Sequence, residues 1–364
     1  MNAETVRVNL GPRSYDIVIT SDQLAGVGAF ARQRNRGGLA VVVADENVRA
    51  HAEAVQGSLN AAGFRAELAV LPSGEATKSL ATIAQLWDRL ADLHADRQTL
   101  VVAVGGGVIG DAAGFAASTF NRGLPLLMVP TTLLSMVDSS VGGKVGINHP
   151  KAKNLIGAFH QPVGVWIDTA TLATMAEREF RSGLAEVVKY GVILDPEFFA
   201  YQEANAERIL AREPAAIRHI VARSCRLKAD VVEKDEREES GLRAVLNYGH
   251  TFAHAFETAA GYGRWLHGEA VAAGMVCASR LAECQQLVPA DLTERQRRLL
   301  HCFQLPVAPE PWPIDGLLAT MRSDKKSVAG QLRFILPRRL GEVALFDNCR
   351  EDDVRGVLQE LAGG

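Results

Sequence analysis

Three histidines and a buried-looking carboxylate carry the strongest chemical signal in this sequence. His250 and His254 are four residues apart in Asn247-Tyr248-Gly249-His250-Thr251-Phe252-Ala253-His254, and His267-Gly268-Glu269 comes seventeen residues after His250. On a helix the pair shares one face, with Asn247 three residues before His250 on the same side. Neutral imidazoles suit zinc or a similar divalent ion, and a catalytic site keeps a position open beyond its protein ligands. Read alone, the pair fits satisfied core histidines equally well. Gly183-Leu184-Ala185-Glu186-Val187-Val188-Lys189-Tyr190 tips the balance, because Glu186 and Lys189 stand three apart among apolar neighbours and unpaired charges there would be costly. Two histidines with Glu186 make an open metal site, and Lys189 can address a substrate anion. An exposed ion pair has the same spacing. Arg243, four before Asn247, lies on that side if the helix extends back so far, and its guanidinium suits a carboxylate or phosphate.

A second set of residues offers phosphate chemistry. Val101-Val102-Ala103-Val104 runs into Gly105-Gly106-Gly107-Val108-Ile109-Gly110-Asp111, and Ala112 to Phe120 looks helical, so the pattern is strand, glycine turn, helix. Glycines let a backbone approach a pyrophosphate, and the first turn of a helix offers free N–H groups and a positive dipole end. A turn that merely packs tightly needs similar residues. No acidic residue lies about twenty positions on to hold a ribose, so a standard dinucleotide fold is a poor fit. Val141-Gly142-Gly143-Lys144 also fails the P-loop template, with Asp138 and Val145 at two of its required positions. Pro130-Thr131-Thr132 follows the apolar run Leu126 to Val129 and leads through Asp138, Lys144, Lys151, Lys153 and Asn154 to His160-Gln161-Pro162. Hydroxyls and ammonium groups at a strand end can bind phosphate or a cofactor, though lysines are mostly exposed in any case.

These residues need a scaffold. Thr5 to Val8 and Tyr15 to Ile19 read as strands around Gly11-Pro12; Leu39 to Ala44, Arg65 to Leu71 and Thr99 to Val104 read as further strands. Val48 to Ala62 and Ser79 to Leu93 have helical periodicity between them, and this alternation predicts a parallel α/β sheet. Beyond about Thr174 the patterns are long and helical, at Glu179 to Leu194, Ala215 to Lys234, Leu246 to Ala260 and Glu269 to Gln286; a short extended segment, Gln331 to Leu336, follows Asp324-Lys325-Lys326. The expected division is an α/β domain over 1–175 and an all-α domain over 176–364, which suits a chain of 364 residues, 48% of them hydrophobic. A formal net charge of −3 gives no basic footprint for nucleic acid. Five cysteines without C-x-x-C spacing argue against a disulfide framework and a thiolate zinc site, and neither a signal-peptide core nor a membrane-length apolar run is present. A cytoplasmic location is expected.

Several motifs in register then resemble one family. Gly105 to Asp111, Pro130-Thr131-Thr132-Leu133-Leu134, Asp138-Ser139-Ser140-Val141-Gly142-Gly143-Lys144, Leu184 to Lys189 and Leu246 to Thr251 together look like bacterial 3-dehydroquinate synthases. The resemblance implies an NAD-binding α/β domain, a helical domain, a substrate cleft between them and a homodimer. Carried over by motif, Glu186, His250 and His267 bind zinc or cobalt; Asp45, Glu75, Lys78, Gly106, Gly107, Asp111, Thr131 and Thr132 surround NAD, joined by Lys144 and Lys153. Substrate contacts fall on Asp138, Lys144, Lys153, Asn154, Lys189, Lys228, Arg243, Asn247, His254 and Lys325, with Lys326 an alternative to the last and Arg122 reaching a phosphate across the dimer. Either Glu238 or Glu239 answers to a further glutamate of the family.

The implied reaction converts 3-deoxy-D-arabino-heptulosonate 7-phosphate into 3-dehydroquinate and phosphate, by transient oxidation with NAD, elimination, reduction and an intramolecular aldol closure. Lys144, Lys189, Asn247, His254, Arg243 and Asp138 are the residues expected at the chemistry. Two other enzymes use similar parts: a cyclase acting on another sugar phosphate, and a metal-dependent polyol dehydrogenase that releases NADH. A catalytically silent NAD-binding protein would have no reason to carry Glu186, His250, His267 and Lys189 together.

Overall fold

The computed structural model describes residues 3–261, 263–323 and 332–363. In chain order its first part contains β1 (Glu4–Val8), β2 (Tyr15–Thr20), α1 (Val27–Arg34), β3 (Leu39–Asp45), α2 (Arg49–Ala61), β4 (Arg65–Leu71), α3 (Leu80–Asp92), β5 (Leu100–Gly105), α4 (Gly107–Thr119), β6 (Leu126–Pro130), β7 (Lys144–His149), β8 (Ala152–Phe159) and β9 (Gly164–Asp168). It continues through α5 (Glu177–Leu194), α6 (Pro196–Ala204), α7 (Ala206–Leu210), α8 (Pro214–Lys234), α9 (His250–Ala260), α10 (His267–Cys284), α11 (Ala290–Cys302), α12 (Ile314–Ser323), β10 (Phe334–Arg339), β11 (Glu342–Phe346) and α13 (Glu351–Ala362).

The chain forms two compact units, one of Met1–Met175 with Ile217–Arg237, the other of Ala176–Ala216 with Glu238–Gly364. A single cut after residue 175 therefore misses one segment. Ile217–Arg237 joins the α/β unit because its polar residues find partners there: Arg226 donates to the Arg7 carbonyl at 2.6 Å, and Glu233 accepts from the Asn9 N–H at 3.0 Å.

The α/β unit is built on a seven-stranded sheet in the order β1-β2-β9-β6-β5-β3-β4, parallel throughout except for the β1–β2 pair. β3, β5 and β6 are apolar almost without interruption because helices cover both faces, so neither side of those strands can carry polar groups. From β3 the chain moves outward to β4 and then returns to the other side of β3 as β5. That reversal is a topological switch point, and it opens a crevice at the carboxyl ends of β3 and β5, where ligands bind in such sheets. The stretch between Lys144 and Phe159, for which the sequence pattern predicts no strand, is an antiparallel hairpin of β7 and β8. Its small residues explain the close fit: a Cβ on Gly146 would lie 2.7 Å from the Ile156 carbonyl oxygen.

Among the described residues the second unit is helical, with one hairpin, β10–β11, where the sequence shows a single extended segment. No helix among the described residues is long and apolar enough to cross a membrane. The continuous helix expected from Leu246 to Ala260 is broken. Leu242–Asn247 is a 3-10 turn, Tyr248 is extended, and Gly249 takes φ 78° before α9 begins at His250. Only glycine suits this position, since a Cβ there would also meet the backbone N of Met275 on α10 at 2.8 Å. Asn247 and Arg243 consequently do not share the helix that carries His250 and His254.

Candidate active site

In the helical unit, three helices each contribute one donor to a single cluster. Glu186 lies midway along α5, His250 opens α9 and His267 opens α10. The sequence separation is bridged by very close backbone contact: the Gly268 N–H donates to Ser182 Oγ at 3.0 Å, so the start of α10 sits against α5 one turn before Glu186. Donor atoms of Glu186, His250 and His267 all lie within 4.8 Å of one another. Nε2 of each histidine stands 3.7 Å from Glu186 Oε1. That is too long for a hydrogen bond, yet near the roughly 3.3–3.5 Å that separates donors around a tetrahedral ion with bonds of about 2.0–2.1 Å. One carboxylate and two imidazoles also match the donor chemistry of an open divalent site, so the residues fit the metal.

The charges around this cluster are organised. Glu186 and Lys189 are almost wholly buried, at 1% and 2% exposure, and the Lys189 ammonium is paired with Glu186 Oε2. His250 Nδ1 is 3.1 Å from the Tyr248 carbonyl oxygen, which the break at Gly249 brings into place. His267 Nδ1 is 3.7 Å from Glu257 Oε1. Burial alone would lower the His267 pKa; the negative charges of Glu186 and Glu257, each 3.7 Å from a ring nitrogen, outweigh it and push the pKa up to about 10. His254 stands beside His250, ring centroids 5.9 Å apart, outside the group of three donors. Arg243 is buried, with Nε 3.6 Å from Glu238 Oε1, which distinguishes Glu238 from Glu239 at this contact. Glu257 was missed in the sequence reading, although its position seven after His250 and three after His254 puts it on their helical face.

In the α/β unit the expected cofactor residues gather at strand ends. The register pairs Ala44 with Val104 and Gly105 with Pro130, so Asp45, Gly106 and Thr131 follow one another across the carboxyl ends of β3, β5 and β6. The Asp45 carboxylate accepts from the Asn47 N–H at 2.9 Å. Gly106 caps α4, whose first turn begins at Gly107. Neither has positive φ, and their closest contacts with an added Cβ would be Thr132 at 3.1 Å and Ser139 at 3.2 Å. Gly105 is needed for packing, its Cβ position lying 2.9 Å from Ile109. The Thr131 hydroxyl is buried without a hydrogen-bond partner, and Thr132 Oγ1 donates to Ser135 at 2.9 Å.

Lys78 is the centre of a polar knot beside this turn. It is 5% exposed, its ammonium is 2.6 Å from Asp111 and 3.7 Å from Glu75, and it also donates to Asn154. Asn148 donates to Glu75 at 2.8 Å, and its own oxygen accepts from the Asn154 N–H at 2.9 Å. Burial raises the Asp111 carboxyl above the ordinary carboxylate range, against the pull of Lys78. Lys228 reaches Asp138 through both the carboxylate and the carbonyl, each at 2.7 Å. Lys144 is exposed and Lys153 partly buried at the two strands of the hairpin. Arg122 is not brought to this group: it is exposed, with φ 67°, and precedes the amino end of β6, whereas Thr131 follows its carboxyl end. Lys325 and Lys326 lie outside the described residues.

Comparison with known proteins agrees with this geometry. Residues 68–182 match the family model "3-dehydroquinate synthase N-terminal" and residues 183–327 match "3-dehydroquinate synthase C-terminal". A 3-dehydroquinate synthase of Geobacter metallireducens is 51% identical over 97% of this chain and 99% of its own. Among solved structures, a 2-epi-5-epi-valiolone synthase from Streptomyces hygroscopicus subsp. jinggangensis 5008 with NAD+ and Zn2+ bound is 29% identical, covers 96% of this chain and 97% of its own, and has a TM-score of 0.87. A 2-deoxy-scyllo-inosose synthase complexed with carbaglucose-6-phosphate, NAD+ and Co2+ is 27% identical over 98% of this chain and 99% of its own, with a TM-score of 0.86. Matched by both family models and by a relative over nearly its whole length, the chain belongs to the 3-dehydroquinate synthase family.

Proposed function

We propose that the chain performs the reaction its family is named for, cyclising 3-deoxy-D-arabino-heptulosonate 7-phosphate to 3-dehydroquinate with release of inorganic phosphate. The observation that carries this reading is the convergence of Glu186, His250 and His267 with the buried Lys189 beside them. When bound, a zinc or cobalt ion on those three residues supplies Lewis-acid polarisation of a substrate hydroxyl, and NAD supplies a reversible hydride acceptor. Solved relatives holding NAD+ with Zn2+ or Co2+ support both assignments.

The chain's own residues supply position and charge. In the α/β unit we assign Asp45, Glu75, Lys78, Gly106, Gly107, Asp111, Thr131, Thr132, Lys144 and Lys153 to NAD, supported by the succession of strand ends that carries Asp45, Gly106 and Thr131, by the contact of Lys78 with Asp111 and Glu75, and by the unpartnered Thr131 hydroxyl. The first turn of α4 offers N–H groups to a pyrophosphate. On the substrate we assign Asp138, Lys144, Lys153, Asn154 and Lys228 from this unit, and Lys189, Arg243, Asn247 and His254 from the helical unit. Lysine and arginine stabilise the phosphate and a developing enolate, while Asn247 orients the substrate by hydrogen bonding and His254 moves protons. Lys325 belongs to the same assignment.

A homodimer completes the reading. β8 exposes Leu155, Ile156 and Phe159 at 44%, 39% and 44%, an apolar edge suited to a second copy. Arg122, remote from the strand-end cluster of its own chain, would serve a phosphate in the partner. Five free cysteines suit a reducing cytoplasm. The test is to supply the heptulosonate phosphate, sedoheptulose 7-phosphate and a simple polyol separately, measuring phosphate, ring product and NADH. Stoichiometric phosphate from the first, with no net NADH and with loss of turnover on chelation, is expected. Net NADH from the polyol without phosphate release would refute the proposal.

A further inference from the structure

The two imidazoles of the donor set are held from behind in different ways. His250 presents Nε2 to Glu186 and has the neutral Tyr248 carbonyl at Nδ1, 3.1 Å away, supplied by the chain just before it. His267 presents Nε2 to the same carboxylate oxygen, and what faces its Nδ1, at 3.7 Å, is a carboxylate from another helix, Glu257 on α9. Glu257 is 15% exposed, so its charge is poorly screened. A ligating imidazole donates its second N–H to such a group, which fixes the tautomer and ring plane and strengthens the nitrogen that faces the ion.

Charge balance points the same way. The Glu186 carboxylate is already matched by the buried Lys189 ammonium, so a divalent ion placed there gains from further negative charge nearby. The Glu257 carboxylate places such charge behind His267.

We infer that Glu257 is a positioning residue of the metal centre: its carboxylate faces Nδ1 of His267, favours the tautomer protonated there, aims Nε2 towards Glu186, and supplies negative charge to a bound divalent ion. This rests on the metal assignment above and can fail separately from it. The experiment uses the full-length chain stripped by a chelator and titrated with zinc or cobalt against a chromophoric competitor, for the parent, Glu257→Gln, Glu257→Ala and Glu186→Gln. Glu257→Gln keeps shape and loses charge, so affinity falls about 10-fold; Glu257→Ala loses the acceptor too, and affinity falls towards 100-fold. Long-range 15N correlation of the zinc-loaded protein should show His267 as the Nδ1–H tautomer in the parent and a mixed or altered signal in Glu257→Ala. A merely structural role would lower the metal-free unfolding midpoint without moving that signal or discriminating Gln from Ala. Parent-like zinc affinity and an unchanged His267 tautomer in Glu257→Ala, with binding abolished in Glu186→Gln, would overturn the role of Glu257 alone. Binding undiminished in Glu186→Gln would overturn the metal assignment, and this inference with it.

Discussion

Gly268→Ala tests whether the three-donor cluster depends on the contact between two helix backbones. A Cβ at residue 268 would lie 1.8 Å from the Ser182 carbonyl oxygen and 2.7 Å from Ser182 Oγ. Carbon and oxygen tolerate roughly 3.2 Å, so the start of α10 must retreat by about 1.4 Å, and the adjoining His267 must move with it. Its Nε2 now stands 3.7 Å from Glu186 Oε1. Retreat along that line opens the separation to about 5 Å, whereas two donors with bonds of about 2 Å reach at most about 4 Å across one ion. The expected result is loss of His267 as a ligand and zinc binding weakened by at least about 100-fold, a cost near 2.7 kcal/mol. Overpacking adds about 1–3 kcal/mol of destabilisation to the metal-free protein. Chelator competition and urea unfolding measure the two quantities separately. Truncating Ser182 to alanine should not rescue the variant, because the severest clash is with a carbonyl oxygen. Zinc affinity equal to that of the parent would refute the account of how the site is assembled.

Metal loading should release protons. With the His267 pKa raised to about 10, the ring is protonated near neutrality and must give up a proton to bind an ion, so affinity should rise with pH until about 10. Calorimetry in buffers of different ionisation enthalpy should find close to one proton released per ion at pH 7.5. In the metal-free protein the sign reverses: a folded pKa above the usual 6.5 stabilises the fold fully below pH 6.5, and that contribution disappears as pH rises through about 10. Lys78→Met should weaken NAD binding by at least about tenfold and push the Asp111 carboxyl still higher, since it removes the cation that opposes burial; equilibrium dialysis with NAD and a pH titration of Asp111 by NMR would check this. If the proposed homodimer forms through β8, placing glutamates at Leu155 and Phe159 should halve the mass seen by light scattering while leaving the helix content unchanged; an unaltered mass would count against β8 as the interface.

Local periodicity made much of the scaffold legible. The apolar runs of β3, β5 and β6 announce strands covered on both faces, and the glycines after Val104 announce a strand entering a helix, because both signals depend only on neighbouring residues. The β7–β8 hairpin was hidden because its residues alternate weakly and include Gly146 and Gly157, which serve close backbone approach rather than burial. The break at Gly249 was hidden too, since Leu246, Phe252 and Ala253 continue an apolar pattern across it and only the crowding against Met275 reveals the need for glycine.

By itself, the sequence determined which chemistry was available: imidazoles and a carboxylate for a divalent ion, a lysine one helical turn from that carboxylate, hydroxyls and glycines at strand ends. Its motifs in register singled out Glu186, His250 and His267 by resemblance, but spacing alone left open which two of the three histidines would join the glutamate. Tertiary structure is what brings His250 and His267 together with Glu186, sets Glu257 behind His267 and groups Ile217–Arg237 with the sheet. The reason is that these outcomes depend on which backbones can touch. Gly268 lets α10 meet Ser182 across 86 residues of chain, and a contact of that kind leaves no periodic trace around either residue.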